Sequence, residues 1–162
     1  MISFAKDLID FPFGKKEKKL QRRLNKIISA MRSLKLLPKK RPVFLAVEFV
    51  STDQMKTLNW KYRRKKSPTD VLSFEQTWSK QGALFLGDIV VCKPIWRKQA
   101  KDNKNTLEQE FTVLLVHGLL HLCGYDHEKS ASEFKKMANL EMKILQKMKL
   151  RIESGLISRS RL

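Results

Sequence analysis

The chain has only two cysteines, Cys92 and Cys123, too few for a disulfide framework, so reduced thiols are expected. Cys123 lies between two histidines, where a small buried side chain is a simpler role than that of a metal ligand. No apolar run approaches the roughly 18 residues of a membrane-spanning helix. The opening stretch MISFAKDLIDFPFGKK lacks a secretory-signal pattern. A soluble, cytoplasmic protein with no membrane partner is therefore expected. No repeat, low-complexity tract or long linker divides the sequence, which predicts one domain over residues 1–162 with a basic tail from about 150 to 162. Acidic residues are scarce: 16 Asp plus Glu face 34 Lys plus Arg, a formal net charge of +18. That excess predicts a polyanionic partner, and nucleic acid fits because neutralising its phosphates releases counterions.

The apolar periodicity predicts alternating helices and strands. Leu20, Leu24, Ile27, Ile28, Met31 and Leu34 recur at helical spacing within residues 15–35, with Lys and Arg between them. VFLAVEFV reads as a buried strand. Ser51 and Gln54 have capping-box spacing for a helix with Met55, Leu58 and Tyr62 on one face, ending in the basic cluster 61–66. TDVLSFE and LFLGDIVVC read as two more strands, Gly87 marking a bulge or a close approach. Pro94 opens a short helix, and Thr106 with Gln109 caps another, whose near-continuous apolar run TVLLVHGLLHLC predicts a central position. A last helix enters through Ser130 and Glu133 and carries Phe134, Met137, Leu140, Ile144 and Met148. The expected fold is α+β, a small mixed sheet of about four strands packed around a central helix.

The chain has three histidines, and all fall within HGLLHLCGYDH. His117 and His121, four apart on a helix, share a face at about 5–6 Å. A third ligand requires the chain to bend back, and Gly124 stands where helices end in the left-handed conformation, just before His127. Three neutral imidazoles holding one zinc leave a fourth position for water, as in catalytic sites. The alternative is a structural site closed by Cys123 or Asp126. Asp126 either orients a histidine or caps the turn after Gly124. The spacing is metzincin-like, but those proteases carry a glutamate base after the first histidine. Here Gly118 occupies that place, and a metallopeptidase would need its base from elsewhere, such as Asp126.

HGLLHLCGYDH resembles, position for position, the signature of the YbeY family, bacterial metal-dependent endoribonucleases of ribosomal RNA maturation. NWKYRRKKSPTDVLSF and LFLGDIVVC resemble two further blocks of that family. The resemblance implies a mixed four-stranded sheet around a central helix and one zinc on His117, His121 and His127. It also implies single-stranded RNA as substrate, drawn from ribosomal RNA precursor, with the small ribosomal subunit as partner and a part in ribosome quality control. Arg63 takes the place of the family's cleft-facing arginine, so Arg63 and His117 form the expected catalytic set. A guanidinium suits the role physically, since its planar fork of donors matches a phosphate and cannot lose its charge. Attack by water and attack by the RNA 2′-hydroxyl both remain open. The rival reading is an RNA-binding ribosome assembly factor whose metal only holds the fold.

Overall fold

A computed structural model describes residues 16–80 and 82–152. Its elements run α1 (Lys16–Ser33), β1 (Val43–Val50), α2 (Thr52–Arg63), β2 (Val71–Lys80), β3 (Ala83–Cys92), α3 (Lys93–Asp102), α4 (Leu107–Leu122) and α5 (Ala131–Lys147). The opening stretch through residue 15 and the basic tail beyond 152 lie outside the described residues.

Both predicted capping boxes are present. Ser51 and Gln54 exchange side-chain and backbone hydrogen bonds at the start of α2, as do Thr106 and Gln109 at the start of α4. Each reciprocal pair satisfies two of the donors that a helix N-terminus leaves bare. Ser130 accepts from the Glu133 amide and starts α5.

The strands order as β1-β3-β2, with β1 parallel and β2 antiparallel to β3. The described residues thus form three strands where about four were expected. β2 is also longer than TDVLSFE suggested, because the antiparallel ladder with β3 continues past Glu75 to Lys80.

Both ladders slip beside Gly87, confirming the bulge expected there. Gly87 has φ +128°, and a β-carbon on it would lie 2.0 Å from the Phe74 carbonyl oxygen. Only glycine allows the edge strand β2 to pass this close.

α4 is central, touching β2, β3, α1, α3 and α5. Every residue from Glu110 to Leu120 is buried. Fully burying one leucine of such a run contributes roughly 1.5–3 kcal/mol, so the helix that carries two of the histidines is the most firmly placed element. On the opposite face of the sheet, α2 closes a smaller cluster of Val50, Met55, Leu72, Val90 and Cys92.

Candidate metal centre

α4 ends in a Schellman motif. Gly124, at φ +86°, donates its amide to the His121 carbonyl, and the Tyr125 amide donates to the Leu120 carbonyl. The turn reverses the chain within a few residues and returns His127 to the helix end. One ring nitrogen of each of His117, His121 and His127 then lies within 4.8 Å of the others. The Nε2 atoms of His117 and His121 are 3.1 Å apart. A tetrahedral ion with bonds of about 2.0–2.1 Å separates its ligand nitrogens by roughly 3.3 Å, close to that spacing. The His127 Nδ1 is buried without a hydrogen-bond partner among the described residues. Converging imidazoles with such an orphaned nitrogen fit a divalent metal ion.

His117 is held by a residue that the sequence reading missed. Its Nδ1 lies 2.5 Å from Glu141 Oε1 of α5, with both side chains buried. Donation from Nδ1 to the carboxylate fixes the tautomer and leaves the Nε2 lone pair facing the other imidazoles. A signal did exist, since Glu141 sits between Met137 and Ile144 at helical spacing on the buried stripe of α5.

Asp126 accepts from the Glu128 amide instead. Of its two expected roles the turn cap is the one observed. Cys123 is partly buried and free. Burial, with the Glu75 charge second, pushes its thiol up to about 11, which keeps it protonated at neutral pH and consistent with a packing role.

Burial, then the neighbouring rings of His117 and His127, lowers the His121 pKa to about 4. Burial, then His117, also lowers that of His127. Both rings are therefore neutral at pH 7, as ligands must be. Below pH 6.5 the unfolded chain takes up protons on these rings that the folded chain refuses, so protons favour unfolding. The metal-free protein is expected to be most stable above pH 6.5 and to lose stability progressively toward pH 4. Glu128 acts in a separate window. The Arg63 hydrogen bond leads in holding its carboxyl down at about 2, so its contribution persists above pH 4.5 and disappears only toward pH 2. Urea midpoints of metal-free protein at pH 7.5, 6 and 5 test this. A midpoint that stays level or rises on acidification contradicts it, and His121→Ala should flatten the trend.

The histidines line a cleft of about 580 Å³ together with Arg63, Lys65 and Ser73. Arg63 and the histidines therefore do come together. The Arg63 guanidinium donates to Glu128 Oε1 at 2.5 Å, and Lys65 reaches the same oxygen at 3.1 Å. These partly exposed pairs each contribute little, about 0–1 kcal/mol. Ser73 faces the helix. On the neighbouring strand Asp88 accepts from Gln76, and Tyr125 packs against the main core.

Gly118 is where α4 meets the sheet. A β-carbon there would lie 3.1 Å from Ser73 Oγ and from Ile89 Cδ1. The missing glutamate is thus a matter of packing as well as chemistry, because any side chain at 118 requires the Ile89 and Ser73 side chains to give by a few tenths of an ångström.

The sequence profile of the family described as Endoribonuclease YbeY matches residues 9–149. An Endoribonuclease YbeY from Thermodesulfovibrio yellowstonii is 44% identical over 92% of this chain and 87% of its own. One from Acinetobacter baumannii is 38% identical over 85% of this chain and 90% of its own. Among solved structures, the solution structure of TM1509 from Thermotoga maritima aligns with a TM-score of 0.52 and 29% identity, over 92% of each chain.

Proposed function

The chain belongs to the Endoribonuclease YbeY family, and from that premise we propose that it cleaves single-stranded RNA at one zinc ion held by His117, His121 and His127. The biological setting of this reading is maturation of ribosomal RNA precursor and ribosome quality control in the cytoplasm, at the small ribosomal subunit. Residues 1–162 act as one domain. Among the described residues no helix is long and apolar enough to cross a membrane.

The observation that carries the reading is the juxtaposition, in one cleft, of three converging imidazoles and the Arg63–Lys65 cation pair. When bound, the zinc supplies a Lewis acid that acidifies water and polarises a phosphoryl oxygen. The chain's own residues do the rest. Glu141 holds His117 in the tautomer that presents Nε2. Arg63, released from Glu128, offers parallel donors to a phosphate whose negative charge grows during substitution at phosphorus. Lys65 adds a point charge beside it. The net charge of +18 concentrates RNA at the protein.

The test is cleavage of single-stranded RNA, duplex RNA and casein by purified protein of measured metal content, with and without chelator. Single-stranded RNA should be cut, chelator should stop the reaction and zinc should restore it. Arg63→Ala should lower kcat by about 10²–10³-fold. Cleavage persisting in an Arg63→Ala, His121→Ala double variant would remove the proposed site, and casein turnover without RNA turnover would replace it with a peptidase.

A further inference from the structure

The segment Asn59–Lys66 divides its side chains between two directions. Asn59, Arg63 and Lys65 line the cleft. Trp60 and Tyr62 remain 46% and 55% exposed, and with Met142 they are the exposed large hydrophobic residues among those described. Two of the three thus lie two residues apart beside the site. Exposed aromatic area is unfavourable in water unless a partner covers it.

The surroundings of the rings indicate the partner's chemistry. The Arg64 guanidinium and the Lys66 ammonium each lie 5.9 Å from the Trp60 ring centre, and the Lys61 ammonium lies 5.1 Å from that of Tyr62. Arg63 and Lys65 are engaged with Glu128, but none of these three outer cations has a carboxylate partner among the described residues. Tyr62 is braced edge-on against Phe74 at 4.8 Å, and the neighbours of Phe74 on β2, Ser73 and Glu75, line the cleft. Half-exposed rings with cations held over them, and no carboxylate partner for those cations among the described residues, are suited to a ligand that alternates flat rings with negative charges.

We propose that Trp60 and Tyr62 form a stacking platform for unpaired nucleobases at the rim of the histidine cleft, with Lys61, Arg64 and Lys66 receiving the intervening phosphates. The inference rests on RNA being the substrate, and it supplies a physical origin for strand selectivity. Bases in a duplex are stacked on one another and have no free face to offer, whereas a single strand can lay one base against Trp60 while its flanking phosphates meet the cations beside the ring.

The test reads binding rather than turnover. Affinities are measured for a 2′-O-methyl oligoribonucleotide, which cannot undergo 2′-hydroxyl attack and whose length is checked after each titration, and for an abasic oligonucleotide with the same number of phosphates. Trp60→Ala should weaken the base-bearing strand about tenfold and leave the abasic strand unchanged, while Trp60→Phe retains most of the affinity. Trp60 is exposed, so its variants should fold, and circular dichroism checks this. Equal losses on both oligonucleotides, or affinity within about twofold of wild type in both Trp60→Ala and Tyr62→Ala, would overturn the platform. Because binding is read separately from cleavage, a wild-type protein that binds base-selectively yet cuts no RNA would keep the platform and remove the nuclease reading.

Discussion

Replacing His121 by alanine is expected to strip the metal and lower RNA cleavage by at least about a thousandfold while the chain stays folded. His121 is the informative choice among the three ligands. It is partly exposed at the helix end, and its ring has no carboxylate partner among the described residues. His117→Ala would instead leave the buried carboxylate of Glu141 without its donor, and an uncompensated buried charge costs about 3–5 kcal/mol. Loss of activity there would confuse unfolding with loss of chemistry. Metal content, thermal melting and cleavage at saturating RNA should be measured on the same preparation. A folded, metal-free, inactive His121→Ala protein supports catalysis at the metal. Global unfolding of that variant would support a metal that mainly holds the fold, and undiminished cleavage would exclude the site. Glu141→Gln is the graded counterpart: it keeps a hydrogen-bonding group while removing the charge, and should weaken metal binding by about 10–100-fold.

Gly87→Ala should be the most damaging small substitution in the sheet. The new methyl group would lie 2.0 Å from the Phe74 oxygen and 2.9 Å from the Gln76 nitrogen. Both are backbone atoms of the neighbouring strand, so no rotamer change relieves the clash. The φ of +128° is a second penalty for any L side chain. A cost of about 4 kcal/mol or more, the range reserved for severe steric or strain effects, removes much of a typical stability of about 5–15 kcal/mol. The expected result is a protein that is largely unfolded at 37 °C, or one whose β2–β3 ladder has rearranged. Denaturant midpoints decide it, and a variant within about 0.5 kcal/mol of wild type, the range of neutral surface changes, would show that the edge strand gives way easily.

Much of the site was legible because its cues are local. Two histidines four apart on an apolar run and a glycine at the helix end are facts of neighbouring residues, and the Schellman turn at Gly124 turned them into a cluster. The capping boxes at Ser51 and Thr106, and the bulge at Gly87, are legible for the same reason.

What was hidden depends on elements distant in the chain. Glu141 reaches His117 only because α5 lies along α4, and among Met137, Leu140 and Ile144 its position looked like a lapse in an apolar stripe. The Arg63–Glu128 pair was equally hidden, since within RRKK nothing local distinguishes one cation from its neighbours. The choice of Arg63 came from the family resemblance, and the fold then supplied the partner. The strand order was hidden too: three strands pair as β1-β3-β2 among the described residues, and pairing, unlike periodicity, is not written along one segment.

The close seating of α4 on the sheet at Gly118 bears on how such sites can change by mutation. Introducing a glutamate at 118 would first drive its β-carbon into Ile89 and Ser73, whereas trimming Ile89 beforehand would open a void in a fully buried position, commonly costing about 1 kcal/mol or more. Either order passes through a weakened intermediate. A peptidase-like base on this histidine helix therefore asks Ile89 and Ser73 to shift as well, and two proteins sharing its spacing can be held toward different chemistries by the distance between a helix and a strand.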